Sequence, residues 1–144
     1  MLRRQRQRGG AIVEVALLAP WIFFLFVGVY DFGFYAFAMI STQAAARAAA
    51  LSQAQVSTAT VSPCTAALGE LDLLLNVSGN CTTVAGVSTA SPVGVDLATV
   101  AGADGQTATQ ATVRYQTIPL IPIPGLLTGR ATFTRISQVR NVVP

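Results

Sequence analysis

The sequence predicts an α+β fold: a long N-terminal transmembrane α-helix that extends outward, followed by a small disulfide-linked domain with a short helix and about three antiparallel strands. Three observations lead to this prediction. Residues 11–40 are apolar except for Glu14 and Asp31. The chain has two cysteines, Cys64 and Cys81. The sequence after Cys81 is rich in Val, Thr, Ser and Gly, with the alternation that is typical of strands.

The composition fits one membrane-anchored domain. Of the 144 residues, 52% are hydrophobic and only 10% are charged, well below the usual charged share of about 25%. After the apolar segment, roughly 100 residues remain, enough for one small domain but not two. We divide the chain into a basic leader at 1–9, a transmembrane and extended helix at 10–62, and an extracytoplasmic α+β domain at 63–144.

The charge layout predicts the orientation of the chain. Four arginines, Arg3, Arg4, Arg6 and Arg8, precede the apolar segment, and the remaining charges of the chain sum to −1. Arginines beside an apolar span are retained in the cytoplasm, so the C-terminal part is expected outside. Because no second basic patch or interleaved aromatic residues accompany them, we do not expect binding of nucleic acid.

The apolar segment is too long for a secretory signal. Its charge-free part alone runs from Val15 to Tyr30, whereas the apolar core of a signal peptide has about 7–15 residues, so we expect a retained anchor. Pro20 is expected to bend or loosen the helix. Asp31 lies about 25 Å along the helix from Glu14, so it is either the solvated far end of the span or a polar contact with a partner helix.

An alanine-rich stretch follows the apolar segment. Residues 41–55 contain few helix breakers, so the helix is predicted to continue outward. The small side chains either allow another helix to approach closely or form a solvated face.

The two cysteines are predicted to form a disulfide, because the charge layout places both Cys64 and Cys81 in an oxidising compartment. The alternative is two buried free thiols. Between them, apolar residues at helical spacing predict a short amphipathic helix that ends near Asn76. Those apolar residues are Ala67, Leu68, Leu71, Leu74 and Leu75.

Three segments predict strands of a small antiparallel sheet: 93–100, 110–117 and 130–139. A turn at Ala103-Asp104-Gly105 is predicted after the first of them. Between the last two strands lies an apolar, proline-rich loop that either covers one face of the sheet or docks on a partner protein. The residues proposed for that contact are Pro119, Leu120, Ile121, Pro122, Ile123 and Pro124.

The sequence offers little material for catalysis. There is no histidine, and the acidic residues beyond the apolar segment are scattered as Glu70, Asp72, Asp96 and Asp104. Metal sites and Ser/His/Asp relays cannot be assembled from this set. We therefore predict no enzymatic activity, no metal and no cofactor, which leaves structural or recognition roles.

The string GGAIVEVALLAPWIFFLFVGVYDFG, residues 9–33, resembles the TadE-like pseudopilins of the tight-adherence (Flp) pilus systems. The resemblance implies processing by a prepilin peptidase at Gly9 and Gly10. With cleavage after Gly9, Glu14 becomes the fifth residue, the position that type IV pilin-like proteins pair with a neighbouring subunit's amino terminus. The resemblance also implies assembly roles for Pro20 and Asp31.

Since major Flp pilins are far shorter than this chain, the resemblance favours a minor pilin that packs through its N-terminal helix into, or at the base of, a Flp-type pilus and supports assembly and adhesion. The implied partners are other pilins, the prepilin peptidase, the inner-membrane assembly platform and the lipid bilayer. The implied location is the inner membrane, with incorporation into an extracellular pilus as a further possibility. Two alternatives stay open: an anchored envelope protein that binds a partner through the proline-rich loop, and the main subunit of a pilus-like filament.

Overall fold

The longest element is helix α1, Arg3–Ala54, which has 52 residues and contains Pro20. The computed structural model describes residues 3–55, 61–102, 105–121 and 129–141, with side chains from residue 10 onward. The outward extension of the apolar helix is confirmed, because α1 continues through the alanine-rich stretch. The helix ends at Ala54, before the predicted limit at residue 62.

The chain divides into two compact units, Met1–Phe34 and Tyr35–Pro144. The first consists of the apolar part of α1. The second contains the alanine-rich part of α1 and every later element. The sequence-based boundaries at residues 9 and 62 remain predictions.

The second helix, α2, covers Pro63–Leu71. Ser62 caps it, since its side-chain Oγ accepts a hydrogen bond from the Thr65 amide at 3.2 Å, and Pro63 occupies a first-turn position where no amide donor is needed. The predicted end near Asn76 is wrong. A turn follows Leu71, closed by a hydrogen bond from the Leu74 amide to the Leu71 carbonyl at 2.8 Å, and Asn76 has a left-handed φ of 67° that a helix cannot contain.

The sheet has three antiparallel strands in the order β1-β2-β3. They are β1 Val93–Ala101, β2 Thr107–Gln116 and β3 Thr132–Arg140. All three predicted strands are confirmed with shifted ends, most clearly in β2, which begins earlier than residue 110. Of the predicted turn after β1, Ala103 and Asp104 lie outside the described residues, and Gly105 has a φ of 76°.

A short 3₁₀ turn, Val84–Gly86, packs closely on the start of β1 at Gly94. A Cβ atom at Gly94 would lie 2.5 Å from Val87 Cγ2 and 2.9 Å from the Thr83 carbonyl oxygen. The backbone contact therefore requires glycine at this position.

The core lies between the alanine-rich part of α1, the helix α2 and one face of the sheet. Four alanines of α1, Ala45, Ala46, Ala49 and Ala50, are fully buried in one cluster. The same cluster contains Leu71 of α2 and Val93, Ala111, Val113 and Tyr115 of the sheet. Neither reading of the alanine face was right for these four residues: they pack on the chain's own sheet, and they are not solvated.

The predicted disulfide is confirmed. Cys64 and Cys81 are bonded, with a sequence separation of 17. The bridge ties the first turn of α2 to the segment that leads into β1. It therefore restrains the long connection between the helical and sheet layers of the domain.

Replacing both cysteines, as Cys64→Ala with Cys81→Ala, is expected to lower the free energy of unfolding by about 3 kcal/mol, from the entropy of a loop of this length. Urea unfolding of the full chain in detergent micelles measures the change. The wild-type protein treated with a reductant should lose a similar amount, and an unchanged midpoint in both cases would contradict the estimate.

Tyr115 links the sheet to the turn after α2. Its hydroxyl donates a hydrogen bond to the Leu75 carbonyl oxygen at 2.6 Å, and the residue is fully buried. Burial raises the pKa of Tyr115 from 10.0 to about 12. The folded state therefore holds the phenol proton more tightly than the unfolded chain does.

Tyr115→Phe should lose about 1 kcal/mol of unfolding free energy at pH 7, because the Leu75 carbonyl loses the donor of a partly buried hydrogen bond. The raised pKa of Tyr115 contributes to the free energy of unfolding. This contribution is fully present below about pH 10 and is lost as the pH rises towards 12. Urea unfolding between pH 7 and 11.5 should therefore show the wild type losing stability above pH 10 more steeply than the variant. If the stabilities of the wild type and the variant fall in parallel above pH 10, the pKa shift of Tyr115 does not cause the loss of stability at alkaline pH.

Candidate functional site

The first part of α1 forms an exposed apolar segment, which we define as residues 10–26. Every side chain in it is exposed, including Trp21 at 72% and Phe26 at 73%. The helix from Gly10 to Ala54 is long and apolar enough to cross a membrane, with a mean hydropathy of 2.4 in its most apolar window. Exposed apolar surface of this extent has to be covered by lipid or by other helices.

Glu14 is the one charge in the exposed apolar segment. Its side chain is exposed, and within the part of the chain that the structure describes it has no hydrogen-bond or ionic partner. The predicted processing residues lie just before it in the same helix, Gly10 with an exposed position and Gly9 in the part described by its backbone only. A carboxylate in hydrocarbon without a partner is costly, so Glu14 is the group most in need of an external cation.

Beside Pro20, the surface of the exposed apolar segment contains a shallow groove of about 460 Å³. Its lining is entirely apolar: Val15, Leu18, Ala19, Ile22, Phe23 and Phe26. The groove offers packing surface and no polar anchor, which is the character of a helix-packing or lipid-facing surface.

Asp31 is fully buried, with 0% of its surface exposed. Neither carboxylate oxygen has a hydrogen-bond partner among the described residues. Whether Asp31 is the solvated end of a span or a contact with a partner helix stays a prediction. A buried carboxylate without donors is energetically unfavourable, so this position retains a polar group at the expense of stability.

The proline-rich loop falls only partly in the described residues. Pro119 and Ile121 are exposed and Leu120 is half-buried. Pro122, Ile123 and Pro124 lie outside the described residues, so whether the loop covers the sheet or binds a partner stays a prediction.

Among the residues that the structure describes, no group of three or more His, Cys, Asp or Glu side chains is placed to hold a metal ion. Glu70, Asp72 and Asp96 are all exposed and lie on different elements from Glu14 and Asp31. Of the predicted site residues that the structure describes, Cys64 and Cys81 are brought together by the disulfide.

One comparison with known proteins bears on this site. Residues 9–51 match the model of the TadE-like protein family. The match covers 43 of the 144 residues and confirms the resemblance of the amino-terminal string to this family. It covers the processing glycines, Glu14, Pro20 and Asp31 in one segment. No curated protein and no solved structure shows significant similarity to the chain.

The sequence did not predict one surface feature, a groove outside the apolar part of the segment that matches the TadE-like family. Arg47 of α1 and Arg135 of β3 line the same groove, although they are far apart in the chain. No local pattern could have joined them, because their proximity depends on how α1 packs on the sheet.

Asp31→Asn should raise the free energy of unfolding by about 1 kcal/mol, because it removes a buried charge that has no partner while keeping the shape of the side chain. Thermal unfolding in a fixed detergent, followed by circular dichroism, measures the change. Asp96→Asn is the matched control, since Asp96 is exposed on β1 and should shift stability by less than about 0.5 kcal/mol. A loss of stability in Asp31→Asn would show that the carboxylate has a partner in the membrane-embedded protein.

Proposed function

We propose that this chain is a minor pilin, or pseudopilin, that packs through α1 into or at the base of a Flp-type pilus and supports pilus assembly and adhesion. The observation that carries the proposal is an exposed apolar helix with one unpaired acid, Glu14, inside the segment that matches the TadE-like family. A role in structure and assembly, without catalysis, fits this site.

Glu14 is the proposed contact between subunits. Cleavage after Gly9 would create a new amino terminus at Gly10, four residues before Glu14. Pairing Glu14 with the ammonium group of a neighbouring subunit would recover part of a cost that insertion scales put at about 2.5–3.5 kcal/mol for a charge at the centre of a helix span. Only one stacking register brings the two charges together, so the pair favours ordered assembly.

The anchor is proposed to lie in the inner membrane with its basic end in the cytoplasm and residues 63–144 outside. The bilayer and other pilins would cover the exposed apolar segment, and the prepilin peptidase and the assembly platform would act on its cytoplasmic end. Pro20 has no amide hydrogen and therefore removes one backbone hydrogen bond from α1. A neighbouring helix can supply a donor to the carbonyl group that is left without one. Asp31 is proposed as a second residue with a role in assembly.

In its native membrane, the wild-type protein should begin at Gly10, as shown by amino-terminal sequencing. Glu14→Gln should remain in the membrane fraction and reduce the yield of sheared filaments at least tenfold, because insertion needs no carboxylate and registered assembly does. Asp96→Asn serves as the control, with unchanged filament yield.

An intact Arg-rich amino terminus in the membrane protein would favour the uncleaved envelope anchor. A normal filament yield from Glu14→Gln would contradict the proposed pairing of Glu14 with the amino terminus of a neighbouring subunit. Chain abundance in the filaments equal to that of their bulk subunit would identify the protein as a main subunit.

A further inference from the structure

The second unit contains a groove with two arginines and no acidic residue. The groove has a volume of about 390 Å³ and is lined by Met39, Ile40, Gln43, Ala44 and Arg47 of α1 and Arg135 of β3. Arg47 is exposed and Arg135 half-buried. Within the described part of the chain, neither guanidinium group has an ionic partner. We call this surface the basic groove.

The basic groove also has an apolar edge. Ile40 is 69% exposed and Met39 is 37% exposed, so apolar side chains and unpaired cations lie on one surface. Protein interfaces commonly combine an apolar centre with charges that select the partner. The complementary surface would present exposed apolar side chains beside carboxylates.

Such a surface exists on the same chain, in the segment around the end of α2. Glu70, Asp72, Leu73 and Leu75 are exposed there, with Leu73 at 81% and Leu75 at 51%. We call these four residues the acidic turn. None of its carboxylates has an ionic partner in the described part of the chain.

Buried neighbouring residues fix the conformation of the acidic turn. Leu71 and Leu74 are buried in the core, and the Leu75 carbonyl accepts the hydrogen bond from Tyr115. Because the neighbouring Leu71 and Leu74 are buried, Leu73 is left on the exposed side of the turn. Little conformational entropy is therefore lost when a partner binds it.

We propose that the basic groove of one copy receives the acidic turn of a second copy of this chain. Leu73 would contact Met39 and Ile40, and Glu70 and Asp72 would pair with Arg47 and Arg135. The two surfaces differ, so the contact is heterologous. A pair of copies keeps one free groove and one free acidic turn, which permits rows of copies with all α1 helices pointing the same way. This inference adds a contact between extracytoplasmic domains to the proposed function.

The position of Arg47 argues against a phospholipid headgroup as the occupant. A hydrocarbon core of about 30 Å takes roughly 20 residues of helix from Ala11, which reaches Tyr30. Arg47 lies about 25 Å further along the helix, whereas a headgroup layer adds only about 5–8 Å on each side. A protein carboxylate is therefore the anion expected at this level.

Crosslinking of the full chain in inner-membrane vesicles tests the contact. Chains with Ala44→Cys, in the basic groove, are co-expressed with differently tagged chains with Leu73→Cys, in the acidic turn, and treated with a short bismaleimide. Cys64 and Cys81 are bonded to each other and do not react. We expect a mixed dimer that carries both tags. Thr134→Cys in place of Leu73→Cys is the control, because Thr134 is exposed on β3 outside the acidic turn, and it should give no dimer.

Charge reversal identifies the pairs. Arg47→Glu with Arg135→Glu should lower the yield of mixed dimer at least tenfold, the order expected from loss of close interfacial charge pairs. Glu70→Arg with Asp72→Arg should lower it similarly, and mixing the two reversed chains should restore it. Failure of this rescue would overturn the proposal in favour of a different partner protein. A dimer between two Ala44→Cys chains alone would overturn it in favour of a symmetric contact.

Two further arms separate the remaining explanations. Crosslinking in phosphatidylcholine vesicles should equal that in vesicles with added phosphatidylglycerol, and dependence on the anionic lipid would overturn the proposal. A mixed dimer in Glu14→Gln chains that form no filaments would support this contact independently of helix assembly. Normal filaments with no mixed dimer would overturn the contact and leave the proposed function intact.

Discussion

The structure depends on the packing of one face of α1 against the three-stranded sheet. Four alanines, at positions 45, 46, 49 and 50, have no exposed surface, and they belong to one buried cluster with residues of the sheet. The bulk of the core comes from the sheet and α2, through Tyr115, Val113, Val93 and Leu71. A sheet of three strands has limited stability by itself, so this helix supplies the layer that it needs. Phe133 adds to it through an edge contact with Tyr35 at 6.1 Å.

The same helix therefore has two physical roles along its length. Its alanine-rich part is a core element with one buried face. The exposed apolar segment, residues 10–26, buries nothing within the chain, and its hydrophobic surface requires lipid or neighbouring helices. Both roles belong to one continuous helix.

Charge is distributed in keeping with this division. Glu14 and Asp31 lie in the apolar part of α1 without partners, one exposed and one buried. In the domain, Arg47 and Arg135 line one groove, whereas Glu70 and Asp72 are exposed outside it, and none of the four has an ionic partner where the structure describes the chain. Unpaired surface charges contribute little to folding. They are available for contacts with other molecules.

Several features were predictable from local sequence because their causes are local. The apolar run, the alanine-rich helix formers and the β-branched alternation each specify an element through backbone propensity and periodicity. The predicted disulfide between Cys64 and Cys81 is present. The end of α2 was mispredicted, since the spacing of Leu71 and Leu74 fits a helix as well as the turn that the left-handed Asn76 completes. Glu14 stands out in the sequence itself as a charge in the apolar segment, and its pairing role stays a prediction.

The sequence by itself determined which elements form, how they are linked by the Cys64–Cys81 bridge and where an unpaired acid stands in the anchor. Only the tertiary structure decided what the alanine face packs against, that Asp31 is buried, and that Arg47 and Arg135 line one groove. The physical reason is that propensity and periodicity act over a few residues, whereas burial and charge proximity depend on which faces meet when distant segments pack together.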